Sequence, residues 1–142
     1  KMRELGGDRA AKVSHHFFSN PSKGAYDTYG KVCLPLYSNP NAPEANAFRE
    51  RAIERPEVAI HFFAGEMASM DMRAEIANIT CPTLVIGGTL DPVTPTLCSK
   101  VIADSIGENA CLHMFEGSGH GPHRDDPDGA EKVMRHFLAN ST

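Results

Sequence analysis

The apolar run Leu84-Val85-Ile86 constrains the fold of this chain more than any other feature. It is continuous rather than alternating, it is closed by Gly87-Gly88, and it reads as a strand buried on both faces, as in a parallel sheet. A helix signal follows at Thr94-Pro95, with the threonine as N-cap and the proline in the first turn. That helix carries Leu97, Val101 and Ile102 and stops near Gly107. Ala110 to Phe115 reads as a second short strand. Asp126-Pro127 starts a last helix, whose apolar residues Ala130, Val133, Met134, Phe137 and Leu138 recur at helical spacing. Strand, helix, strand, helix implies crossover connections in a parallel sheet. Two short parallel strands do not make an independently stable sheet, so this pattern calls for further strands from a segment upstream of Lys1.

The first 80 residues have a different texture. They show no strand pattern and are punctuated by Asn20-Pro21, Asn39-Pro40, Ala42-Pro43 and Arg55-Pro56. Residues 44–55 fit a helix with Pro43 in its first turn and Ala45, Phe48 and Ala52 on one face. Another helix starts at Pro56 and carries Val58, Ala59, Phe62 and Phe63, while Cys33 to Tyr37 reads as an irregular apolar stretch. The opening residues Lys1 to Asp8 resemble the middle of a helix and contain no apolar core of a signal peptide. The expectation is a chain cut from a longer polypeptide.

Bulk properties exclude several classes of function. The 142 residues suffice for one ordinary domain, and 41% apolar with 23% charged residues is globular composition. With 14 basic against 18 acidic residues the net charge is −4, which argues against nucleic-acid binding. No apolar stretch reaches the roughly 18 residues of a membrane span. Cys33, Cys81, Cys98 and Cys111 form no C-x-x-C pair, so neither a zinc knuckle nor a redox motif is indicated. Cys98 and Cys111 sit in apolar contexts and are expected to be small buried hydrophobes. A chain of this length needs no disulfide staples, which favours a reducing, cytoplasmic setting.

Chemistry concentrates at the ends of the two strands. Asp91 follows the first and His120, in Gly117-Ser118-Gly119-His120-Gly121, follows the second. In open parallel sheets, sites form beyond the carboxyl ends of the strands. An acid there can fix the tautomer of an imidazole and stabilise its cation, and the imidazole can take a proton from a nucleophile and return it to a leaving group. Taken singly, Asp91 before Pro92 is a common turn residue and His120 an ordinary loop histidine; the pairing favours the catalytic reading. His120 and His123 form H-x-x-H, but the intervening Pro122 and the absence of helical spacing argue against a metal site. Asp125 and Asp126 fit a helix N-terminus favouring negative charge. His15 and His16 fit packing or partial exposure, and His61, among apolar neighbours, fits a satisfied buried histidine. Ser118 carries no elbow signature, and G-x-S-x-G, the strained turn that presents a serine to such a histidine, is absent.

Cys81 to Pro95 resembles the seventh strand and acid turn of the α/β-hydrolase superfamily, and Gly117 to Gly121 is similar to its histidine loop. With the last helix, the resemblance covers roughly residues 71–139. It implies an α/β fold class: the C-terminal part of an α/β-hydrolase, with residues 1–70 as a helical cap and 71–142 as the last parallel strands and helices of the core. Ile60 to Met67 looks most like the proline iminopeptidase branch, whose cap carboxylates hold a substrate's free amino group, and Glu66 is the matching position, although taken singly it fits an ordinary helix-end carboxylate better. The implied activity is that of a serine hydrolase on a small-molecule or peptide substrate, proceeding through an acyl-enzyme. Asp91 and His120 would be catalytic, while the nucleophile and oxyanion hole would come from an N-terminal part of the same protein. No cofactor or metal is implied. An esterase or lactonase of the same fold, or a non-catalytic interaction module, are the alternatives.

Overall fold

The two strands form and pair as parallel neighbours. In the computed structural model, which describes residues 1–42 and 50–141, β1 (Thr83–Gly88) lies beside β2 (Ala110–Phe115). Their register runs from Thr83 opposite Ala110 to Gly88 opposite Phe115. No strand precedes Thr83 among the described residues.

Seven helices lie wholly within the described residues. They are α1 (Met2–Ser19), α2 (Lys23–Val32), α3 (Pro56–Ala64), α4 (Arg73–Ile76), α5 (Thr96–Ile106), α6 (Pro122–Asp125) and α7 (Pro127–Asn140). Short 3-10 turns span Leu34–Tyr37, Glu66–Ala68 and Gly107–Asn109. α1 is two helical pieces meeting at Gly7, whose φ is 69°. Ser22 caps α2 by accepting from the Ala25 amide at 3.3 Å. Half of the helix expected over 44–55 lies outside the described residues, and its described part ends at Arg51, with no regular structure over 52–55.

The crossover helix α5 corrects the expected apolar face. Its start is Thr96 rather than Thr94, and the N-cap position falls on Pro95, without a side-chain cap. The buried residues are Ser99, Ala103 and Ile106, packed on Val85 with Ile76, Ile79, Ala110 and Leu112 around them. Leu97, Val101 and Ile102 face outwards instead, at 69%, 37% and 38% exposure. The cause is close approach at Gly87, where a Cβ would collide with the Ser99 hydroxyl. Only small side chains fit between helix and strand there.

Burial of β1 is also one-sided. Val85 is buried, but Leu84 and Ile86 are only half covered. Leu84 opens with Met114, Val133 and Phe137 onto a groove of about 940 Å³ between the strands and α7. α7 begins as expected, with Asp126 Oδ1 accepting from the Gly129 amide at 3.0 Å and Pro127 in the first turn. Of its apolar stripe only Ala130 is buried, and Leu138 is 70% exposed. Cys98 and Cys111 are exposed rather than buried, because Cys98 lies off the Ser99–Ala103–Ile106 face of α5 and Cys111 lines the open groove beside α7; Cys33 is the fully buried cysteine.

The helical half has its own aromatic core. Phe17 stacks at 4.9 Å on Tyr29 and meets Phe63 edge-on at 5.3 Å, with Met2, Ala10, Ala25 and Cys33 buried beside them. Phe18, Tyr26 and Tyr37 close the cluster. Aromatic edge-to-face pairs of this kind contribute about 0.5–1.5 kcal/mol each beyond area burial. His61, expected to be buried, is exposed on the opposite side of α3 from Phe63, as are His15 and His16 on α1. No described helix is long and apolar enough to cross a membrane.

Candidate active site

The loops that leave β1 and β2 are stitched together. The Thr89 amide donates to the Phe115 carbonyl at 3.0 Å and the Leu90 amide to the Ser118 carbonyl at 2.9 Å. This is possible because Gly88 has no side chain: a Cβ there would strike the carbonyl oxygens of Ser118 and Gly119. Thr89 Oγ1 adds a further tie by accepting from the Gly117 amide at 3.0 Å.

Asp91 emerges from this junction with 4% of its surface exposed. Its Oδ1 accepts from the amides of Val93 at 2.7 Å and Thr94 at 3.0 Å. Its Oδ2 accepts from the Thr94 hydroxyl at 2.7 Å and faces His120 Nδ1 at 2.9 Å. The turn amides two and three residues on are natural donors to an aspartate at this position. Burial pushes the carboxyl up, but the bonds from His120, Thr94 and Val93 outweigh it and hold the group below its ordinary value. Asp91 is therefore an anion at neutral pH. Thr94, expected to cap α5, spends its hydroxyl on this carboxylate.

An ionised carboxylate only accepts hydrogen bonds, so the proton between Asp91 and His120 belongs to Nδ1. That leaves Nε2 as the basic nitrogen. The imidazole is 37% exposed, and Nε2 has no hydrogen-bond partner among the described residues. Tyr37 packs against the ring at 5.2 Å and 70°. The Tyr37 carbonyl also accepts from the His120 amide at 2.6 Å. Tyr37 is itself anchored by its hydroxyl to that of Tyr29 at 2.6 Å. Burial, and then this bond, push the Tyr37 phenol well above its ordinary value, so it remains a neutral partner.

The structure joins Asp91 to His120 and leaves Glu66 apart. Glu66 is exposed in its 3-10 turn, and its carboxylate makes no hydrogen bond or ion pair with either residue. His123 is exposed, and Asp125 faces backbone amides instead of histidines. Among the described residues no three His, Cys, Asp or Glu side chains converge to hold a metal ion. Sequence reasoning missed Thr94, Tyr37, Asn39 and Asp125. For Thr94 the D-x-x-T spacing was a usable signal; Tyr37 and Asn39 lie too far along the chain for any local pattern to reveal them.

A buried carboxylate after one parallel strand is bonded to a histidine after the next, as the resemblance to α/β-hydrolases implies. Residues 64–142 match the TAP-like protein family, and the chain belongs to that family of α/β-hydrolases. It is 28% identical over 111 residues to the pimeloyl-(acyl-carrier protein) methyl ester esterase of Photobacterium profundum, covering 75% of this chain and 43% of that protein. It is 30% identical over 74 residues to the proline iminopeptidase of Heyndrickxia coagulans, covering 52% of this chain and 25% of that protein. The iminopeptidase is thus one relative among several with different activities. The fold superposes on a thermophilic esterase from Thermogutta terrifontis with a TM-score of 0.68 at 19% identity, covering 100% of this chain and 53% of that one. The architecture is part of an α/β-hydrolase fold, helices followed by parallel strands and their helices. The chain spans less than half the length of these curated relatives and about half that of the solved structure.

Proposed function

We propose that the protein is a serine hydrolase in which this chain supplies the acid and the histidine. The observation that carries the reading is the 2.9 Å contact between Asp91 Oδ2 and His120 Nδ1, which leaves Nε2 free on a partly exposed ring. Residues 1–70 serve as the helical cap and 71–142 as the C-terminal part of the core. The nucleophilic serine and oxyanion hole lie in an N-terminal part of the same protein.

The chemistry follows from the proton positions. The serine hydroxyl gives its proton to Nε2 as its oxygen attacks the substrate carbonyl, and Asp91 stabilises the imidazolium that forms. The imidazolium returns that proton to the departing amine or alcohol, leaving an acyl-serine. Water then gives a proton to Nε2, attacks the acyl carbon and releases the acid, with the proton returning to serine.

Two substrate readings differ in the use of Glu66. An aminopeptidase resembling the proline iminopeptidase branch would use it to hold a free amino group. A carboxylic ester hydrolase would not need it, and the wider match to a methyl ester esterase favours that second reading. The free cysteines suit a reducing, cytoplasmic setting.

The complete polypeptide should label with a serine-directed fluorophosphonate, and His120→Ala should abolish both labelling and hydrolysis. A panel of aminoacyl amides against simple esters separates the two substrate classes, with Glu66→Gln raising KM only for the amides. Absence of labelling in the unaltered polypeptide, or full activity of His120→Ala, would overturn the enzymatic reading and leave an interaction module.

A further inference from the structure

His120 stands on a loop that has little reason to be rigid. Gly117, Gly119 and Gly121 alternate through it, and Gly117 sits at φ 73°. Such a segment gains freedom rather than order from its composition. Yet a general base must be held close to its productive geometry to be effective.

Beyond the ties to Thr89 and Leu90, a second restraint comes from outside the acid–histidine pair. Asp125 Oδ2 accepts from the Gly119 amide at 2.7 Å, directly before His120, and from the Asn39 amide at 2.8 Å. The Asn39 side chain donates to the Gly117 carbonyl at 3.2 Å. One carboxylate oxygen therefore bridges the histidine loop to the segment carrying Tyr37, whose carbonyl holds the His120 amide. The other oxygen, Oδ1, is buried with no hydrogen-bond partner among the described residues. Leaving an acceptor buried and unpaired carries the desolvation cost of that group with no bond to offset it. A carboxylate retained in that state makes sense where a single charged oxygen must take two amides, since charge-assisted bonds are roughly twice as strong as neutral ones.

We propose that Asp125 and Asn39 are positioning residues, a clamp that ties the helical segment to the loop of His120 and so sets the imidazole against Asp91. The kinetic part of this inference rests on His120 as the base of the proposed hydrolase. Neither residue touches the reacting atoms. The clamp acts through the backbone of residues 117–120, so its loss disturbs the transition state more than substrate binding.

The test compares Asp125→Ala, Asp125→Asn and Asn39→Ala. In the complete polypeptide, backbone hydrogen exchange should show the Gly119 and His120 amides exchanging about tenfold or more faster in Asp125→Ala, while amides of the Phe17 cluster keep their protection. In the complete polypeptide, Asp125→Ala should lower kcat about 10- to 100-fold with KM within roughly twofold. Asp125→Asn presents a neutral amide oxygen to the same two amides, and should recover part of that loss. Unchanged exchange at Gly119 and His120, or a kcat within about twofold of the unaltered enzyme, overturns the clamp. Equal losses in the Asn and Ala variants also overturn it, because an acceptor role is rescued by an acceptor. Should Asp125→Ala fail to fold, Asn39→Ala removes the Gly117 tie and the local bond from the Asn41 amide while keeping the Asn39 amide on Asp125, and normal exchange and kcat in that variant would sink the proposal. A polypeptide inert towards fluorophosphonate refutes the hydrolase reading, whereas the exchange measurement still decides the clamp.

Discussion

Replacing Asp91 by asparagine should silence His120 by turning its proton around, without unfolding the protein. Oδ1 faces two main-chain amides, those of Val93 and Thr94, which can only donate. Asparagine must therefore place its amide oxygen there and its NH2 where Oδ2 was, against the Thr94 hydroxyl and His120 Nδ1. The hydroxyl can rotate to accept. The imidazole can accept at Nδ1 only by moving its proton to Nε2, the nitrogen that must be free to act as base. To regain the working tautomer the variant must leave two donors facing each other. That forfeits a bond to a charged group, about 1.5–3 kcal/mol, and leaves a buried donor unpaired, about 1–3 kcal/mol. Their sum, about 2.5–6 kcal/mol, corresponds to roughly two to four powers of ten in kcat/KM. The upper end matches the roughly 10⁴-fold loss in kcat that the same replacement brings to a Ser-His-Asp triad. Because the two turn amides keep their acceptor, stability should change by no more than about 2 kcal/mol. Measured on the complete polypeptide, imidazole nitrogen shifts of His120 report the tautomer and kcat/KM reports the rate. An Nδ1-protonated His120 in the variant, or a rate within about tenfold of the unaltered enzyme, would refute the reasoning.

Acid should weaken the fold through the same residue. The Asp91 carboxyl lies below its ordinary value in the folded protein, so the unfolded chain binds more protons as pH falls past about 3.9. Its contribution to stability is complete above that pH and is lost as pH drops through the folded value. Urea midpoints should thus decline on acidification, and decline less in Asp91→Asn; parallel profiles for the two proteins would contradict this. Close approach at the glycines gives an independent check. Gly119→Ala would drive a Cβ into the Tyr37 carbonyl, and Gly88→Ala into those of Ser118 and Gly119. Each should cost about 1–3 kcal/mol or more by denaturant unfolding. Gly24→Ala, in α2 with nothing within 4 Å of the new carbon, should stabilise by about 0.5–1 kcal/mol.

What could be read from the sequence was local. The strand at Thr83–Gly88 announced itself by an unbroken apolar run between punctuation, and α7 by Asp126, Pro127 and a helical stripe. Ala110 to Phe115 was legible for the same reason. Burial was harder, because it depends on what a surface meets. Leu97, Val101 and Ile102 looked like the inner face of α5, but the glycine at position 87 brings strand and helix so close that Ser99 and Ala103 take the inside. Cys98 and Cys111 depart from expectation on the same grounds, an apolar neighbourhood in sequence being no guide to the side a residue faces.

The candidate site divides along the same line. The acid arm is built within a few residues: Asp91 finds the amides of Val93 and Thr94 and the Thr94 hydroxyl in its own turn. Ordering so short a turn costs little chain entropy, and its signature is visible in the sequence. The histidine arm is built across long separations, 78 residues from Asn39 to Gly117 and 86 from Asn39 to Asp125. Nothing in either segment alone announces the other. The register between them is set by Tyr37, which is held on one side by the aromatic core through Tyr29 and on the other by the His120 amide. Placement of the imidazole therefore depends on how the helices around Phe17 and Tyr29 pack. A substitution in that core can disturb His120 without approaching it, through a carbonyl at position 37 and a carboxylate at position 125. The helical half is in this sense part of the site, which a division of the chain into cap and core by sequence texture alone would not convey.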